Sequence, residues 1–283
     1  MTKVRPIGRI SKSRPTIEGA GVRLRRAFGS SEVPRFDPFL MLDDFHSDRP
    51  ADYMAGFPWH PHRGIETVTY MISGEVEHRD SLGNKGVIRA GEVQWMTAGS
   101  GIIHQEMPKR REGTLWGLQL WVNLPASHKM MGPRYRDIRA ADIPECRPAP
   151  GGLVKVIAGS YNGCQGPVRD LVGNPEYLDV SLPGSAGFDH AIPADHAAFA
   201  YVLDGGGRFM PDQKTAVLVE SLVLFGEGDR VSISAEKDGL RFVLISGRPL
   251  KEPVAWQGPI VMNTEAELEV AFAEYRSGTF IKT

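Results

Sequence analysis

The chain has 283 residues, room for two domains at roughly 150 residues each, and its 41% apolar and 24% charged residues are those of an ordinary globule. Lysine and arginine total 33 against 34 acids, a net charge of −1 that gives no electrostatic pull toward nucleic acid or an anionic membrane surface. No apolar run approaches transmembrane length and no short apolar segment leads into a small-residue cleavage site, so a cytoplasmic protein is expected.

Residues 1–28 concentrate positive charge: Lys3, Arg5, Arg9, Lys12, Arg14, Arg23, Arg25 and Arg26 stand against Glu18 alone. Pro6 and Pro15 break any amphipathic targeting helix there, and the segment reads as a solvated strand edge. Short apolar runs follow: "TVTYMI", "GVIRAGEVQWM", "LWGLQLWV", "AFAYVL", "TAVLVESLVLF" and "LRFVLI". Between them lie turns such as "SLGNKG", "DGGG" and "GEGD". Many short strands cut by glycine and proline predict an all-β sandwich or barrel. "TYMISGEV" at 69–76 is echoed by "AYVLDGGG" at 200–207, and "AGEVQWM" about twenty residues later by "VESLVLF", which predicts a duplicated barrel. The proline-rich "DIPECRPAPGG", 142–152, is the expected hinge, giving domains 1–145 and 146–283. Cys146 and Cys164 sit around this junction and are expected as thiols in a reducing compartment, with a single regulatory bridge as the alternative. At the end, "NTEAELEVAFAEYRSG" predicts the one helix: Thr264 and Glu267 form a capping box, Leu268, Ala271, Phe272 and Tyr275 an apolar stripe, and Gly278 a stop.

The chemistry sits in "GFPWHPHRGIETVTYMISGEV", 56–76. On a strand, side chains at i and i+2 share a face, so His60 and His62 point into one barrel interior. "GSGIIHQEMP", 99–108, repeats the spacing with His104 and Glu106, and two neighbouring strands can converge all four donors. Three imidazoles and a carboxylate suit iron, manganese, cobalt, nickel, copper or zinc, and leave open positions for water, substrate or dioxygen. A structural zinc site would favour cysteine, and neither cysteine lies near these residues in sequence. A lone histidine is more often a core or surface residue than a ligand, and His78, His128, His190 and His196, without such pairing, are read that way. Glu66, four residues after His62, shares its face and is either a ligand or an ordinary strand glutamate. "GAGVRL" lacks the third glycine of a dinucleotide loop, and no nucleophile elbow occurs.

The phrases "GFPWHPHRGIETVTY", "GEVQWMTAGSGIIHQEMP", "LQLWVNLP", "DPFLMLDDF" and "GPIVMNT" resemble the pirin family of the cupin superfamily along essentially the whole chain. The resemblance implies two tandem jelly-roll-like cupin barrels with a short C-terminal helix, and metal, usually Fe(II), in the N-terminal barrel only. It makes His60, His62, His104 and Glu106 the ligands, passing to Glu106 the role that Glu66 has in cupins generally. The repeat agrees: His60 and His62 fall opposite Ala191 and Pro193, and "RVSISA" replaces the second pair. Two functions are implied. One is a quercetin 2,3-dioxygenase acting on a small aromatic substrate and dioxygen, with Glu106 also serving as base. The other is a non-catalytic, redox-sensitive regulator that binds a protein partner. Arg63 and Gln105, on the opposite face from the ligands, are expected to support the site and not to touch substrate.

Overall fold

A computed structural model describes residues 3–109, 113–148 and 151–282. Strands dominate, and among the described residues no helix is long and apolar enough to cross a membrane. Two compact units emerge, and they are not sequential halves: one is Arg14–Ala140 with Leu250–Thr283, the other Met1–Ser13 with Ala141–Pro249. The expected junction at 145/146 thus lies close to the 140/141 boundary, while each terminal segment joins the other half's unit.

The exchange has a physical cause at each end. The strand Ile7–Lys12 pairs antiparallel with Ser221–Phe225, and buried Arg5 donates to the carbonyls of Gly226 and Pro193. Arg5 is therefore core, not the solvated edge its charge suggests; Arg14–Glu18 does form a sheet edge. At the other end, buried Lys129 spends its three donors on the carbonyls of Gly64 and Val261 and on Asn123 Oδ1, at 2.8–3.0 Å. Burial pulls that ammonium down to about 8. Arg63 donates to the carbonyls of Ser100 and Phe280, pairs with Glu274 at 2.8 Å and lies 4.2 Å over the Phe280 ring. Gly64 has φ 77°, and a Cβ there would collide with the Val261 carbonyl, so only glycine lets this segment approach.

The Arg14–Ala140 unit holds two sheets. A seven-stranded sheet runs in the order Arg134–Ile138, Val93–Thr97, Ile65–Ser73, Leu115–Asn123, Phe39–Ser47, Val22–Phe28, Arg14–Glu18; a four-stranded one runs Phe57–His62, Ile102–Pro108, Glu75–Asp80, Lys85–Arg89. The hairpin Ala255–Gln257/Ile260–Met262 and the helix Glu265–Ser277 complete the unit. The helix carries the expected capping box and the left-handed Gly278 stop, and it packs against the hairpin through Leu268 and Ala271. Tyr275 of the predicted stripe is exposed.

In the other unit, a nine-stranded sheet includes the long strand Arg230–Gly247 and folds round an apolar core. Cys146 and Cys164 lie within this unit and are bonded to each other, their Cα atoms 6.6 Å apart. Of the two readings, thiols or a single bridge, the structure takes the bridge: the hairpin Ser160–Tyr161/Cys164–Gln165 folds Cys164 back to Cys146.

Candidate metal centre

Strand register assembles the centre. Phe57–His62 pairs antiparallel with Ile102–Pro108 so that His60 stands directly opposite His104, with His62 opposite Ile102. The i, i+2 alternation then turns His62 to the same side. The three rings gather with centroids 4.3 Å (His60–His104), 4.8 Å (His60–His62) and 5.0 Å (His62–His104) apart. One nitrogen from each lies within 4.8 Å of the others.

Hydrogen bonding fixes which nitrogen faces inward. His60 Nδ1 is 2.8 Å from the Pro58 carbonyl and His62 Nδ1 2.9 Å from the Pro259 carbonyl. A carbonyl only accepts, so both Nδ1 atoms carry protons and both Nε2 atoms present lone pairs. These meet at 3.1 Å, and His104 Nε2 comes within 2.9 Å of His60 Nε2. Burial lowers the His60 pKa; burial with the neighbouring imidazoles takes His62 and His104 well below 6.5. Lone pairs of neutral imidazoles packed at such distances repel unless a Lewis acid sits among them. Separations near 3 Å are those of adjacent nitrogens about 2.1 Å from one ion, so the donor set fits a transition metal.

Glu106 follows His104 on the same strand, past a bulge in the pairing. Its carboxylate lies outside the three-imidazole group: Oε1 is 2.9 Å from Thr69 Oγ1 and Oε2 accepts from Gln119 Nε2 at 3.1 Å. Burial raises its pKa, with those two hydrogen bonds opposing. Glu66 is elsewhere, accepting from Trp95 Nε1 and Thr97 Oγ1. Glu106, His60 and His62 line a cavity of about 610 Å³, walled largely by apolar and aromatic groups that include Phe57, Trp121 and Trp256. Trp121 meets His62 edge-on at 5.0 Å and Trp256 at 5.7 Å. Trp59, half exposed, belongs to the same wall.

His78 is a buried strand residue, as the sequence reading has it, and it also backs the centre. It lies fully buried behind His104, Nδ1 to Nδ1 3.4 Å, with Asp80 Oδ2 3.8 Å from its Nε2 and burial pushing it down to about 4. As a neutral acceptor at Nδ1 it holds the His104 tautomer that points Nε2 at the centre. Cross-strand register supplies it: His78 pairs with Glu106, and Asp80 with His104. The spacing to His104 conveys nothing of this. Gln119 was legible in principle, as a lone polar residue within the apolar run "LWGLQLWV". Trp256 and Pro259, almost two hundred residues from His62, had no local signal. His190 pairs with Glu176 at 2.8 Å and His128 bonds Ser127, away from the centre.

Two barrels of this build, one carrying a His-x-His strand crossed by a third histidine, define a bicupin. The chain belongs to the pirin family: the Pirin family model matches residues 21–122 and the Pirin C-terminal cupin domain matches 177–281. A pirin-like protein of Caulobacter vibrioides is 45% identical over 278 residues, 98% of this chain and 99% of that one. The crystal structure of quercetin 2,3-dioxygenase from Acinetobacter baumannii superposes with a TM-score of 0.91 at 31% identity, over 98% of this chain and 99% of that one. The Escherichia coli bacterial pirin YhhW, solved in complex with nickel(II), shares the fold at TM-score 0.64 and 24% identity, over 85% of this chain and 98% of that one.

Proposed function

We propose that the chain is a metal-dependent dioxygenase acting on quercetin-like flavonols or related catecholic compounds, with Fe(II) as its metal. The observation that carries this reading is the position of the three imidazoles: their lone pairs converge beside an aromatic-walled cavity large enough for a multi-ring ligand. His60, His62 and His104 would hold the ion, with Glu106 as the fourth ligand. When bound, the ion supplies Lewis acidity that favours the deprotonated, oxidisable flavonol. Glu106, kept basic by burial, takes the hydroxyl proton at a carboxylate oxygen while Thr69 and Gln119 orient it. Trp121 and Trp256 offer flat apolar faces to the rings and keep water from the reacting carbons. The overall change adds both atoms of dioxygen to the flavonol, opens the central ring and releases carbon monoxide.

The test is oxygen uptake by anaerobically purified, iron-loaded protein given flavonols and catechols. Uptake matched by carbon monoxide release from flavonols supports the reading. No uptake across the panel sinks it and favours the redox-sensitive regulator, whose partner affinity would change with iron oxidation.

A further inference from the structure

The cavity has a second polar end. Its wall includes Glu18, Arg26 and Asp43 as well as His60, His62 and Glu106. Arg26 forks onto Asp43, Nε to Oδ1 at 2.8 Å and Nη2 to Oδ2 at 2.7 Å, the geometry of an ionised pair. Its Nη1 reaches Glu18 Oε1 at 2.9 Å. Asp43 is buried, whereas the Glu18 side chain is 41% exposed. Register sets the distance from the metal end: Arg26 stands beside Asp43, Asp43 beside Gln119, and Gln119 holds Glu106. Two strand spacings, roughly 10 Å, therefore separate Arg26 from Gln119. Val22, Leu24, Phe45 and Leu115 add apolar wall to the same cavity.

One guanidinium facing two carboxylates leaves this end with a net charge of −1. An acidic group is repelled there, and Arg26 has committed three of its five N–H donors. Two carboxylates retain spare acceptor sites, and Glu18 is the one a ligand can reach. A group placed here must donate. We propose that Glu18, positioned by Arg26 and Asp43, is a recognition subsite for a neutral phenolic hydroxyl at the end of the substrate remote from the metal. The substrate class narrows to uncharged polyphenols hydroxylated at both ends, and aromatic acids are rejected. The inference rests on the flavonol reading above.

Its test compares three flavonols that differ only on the distal ring: a bare phenyl, a phenol and a benzoate. Binding to the zinc-loaded protein is followed by quenching of tryptophan fluorescence, since Trp59, Trp121 and Trp256 line the cavity. The phenol is expected to bind about tenfold tighter than the bare ring and the benzoate weaker than either, the scale of one hydrogen bond to a charged acceptor. In Glu18→Gln the phenol preference shrinks and the benzoate penalty falls, while the bare ring binds as before. Equal binding of phenol and bare ring by the unaltered protein, or tightest binding of the benzoate, overturns the subsite and leaves the metal-end reading standing. Failure of all three to bind overturns both. The comparison within the unaltered protein decides the matter even if the variant misfolds.

Discussion

One barrel of this chain is filled and the other is hollow. In the Ala141–Pro249 unit a continuous core brings together Phe188, Phe209 and Phe242, each at most 1% exposed, their rings edge-on at 5.5–5.8 Å. In the Arg14–Ala140 unit the buried apolar residues fall into separate clusters, and a cavity of about 610 Å³ opens beside the histidines. The repeat shows what changed. Thr69, which holds Glu106, falls opposite Ala200, and "RVSISA" places Val231, Ile233 and Ala235 in the apolar core of its own unit. The same strand pattern thus serves packing in one copy and donor groups in the other. A barrel that keeps inward-facing polar groups forgoes the apolar volume that would fill it.

The largest effect that can break this contrast is loss of the centre itself. His104→Ala leaves two of the three imidazoles and is expected to take metal content after purification from near one ion per chain to near none, read by elemental analysis. Retention of a full equivalent would mean that the ion sits elsewhere.

Packing provides the next test. Phe242→Ala in the filled barrel is expected to cost about 3–5 kcal/mol, whereas Met41→Ala, whose side chain borders the cavity, costs about 1–2 kcal/mol because part of it already faces open space. Denaturant unfolding of the metal-free proteins measures both. Equal costs would show that the hollow barrel is as tightly packed as its neighbour.

What the sequence disclosed followed periodicity. The His60/His62 pair and its meeting with His104 were legible because strand alternation converts spacing into facing, and the helix because Thr264, Glu267 and Gly278 carry their own hydrogen-bonding logic. The exchanged termini were not, since pairing of Ile7–Lys12 with Ser221–Phe225 and the contacts of Lys129 depend on partners far along the chain. His78 escaped for the same reason: its role depends on cross-strand register, and alternation within its own strand says only that it faces Val76 and Asp80. With two cysteines the Cys146–Cys164 pairing was the one bridge available; whether it forms depends on a hairpin that brings Cys164 back.

His78 sharpens the contrast on a smaller scale. Replacing it with Phe keeps the volume filled but removes the acceptor behind His104, freeing that ring to adopt the wrong tautomer. Metal affinity should fall about 10–100-fold, with fold and flavonol binding retained. His78→Asn, which restores an acceptor, should recover part of the loss; competition with a fluorescent chelator reads both.

The last prediction concerns an effect that burial should weaken. Three imidazoles at their ordinary value of 6.5 would be mostly protonated at pH 6, and proton competition would weaken metal binding by roughly two orders of magnitude there relative to pH 8. Here burial lowers all three, His62 and His104 well below that value, so proton competition is weaker than it would be for imidazoles in water. Glu106 works in the opposite direction, because burial raises it and a retained proton would compete. Its share is isolated with Glu106→Gln, in which affinity should fall less from pH 8 to pH 6 than three imidazoles in water would require, any extra slope in the unaltered protein being that of Glu106. A slope in Glu106→Gln approaching three protons per ion would place the histidines in water and not in the wall of a hollow barrel.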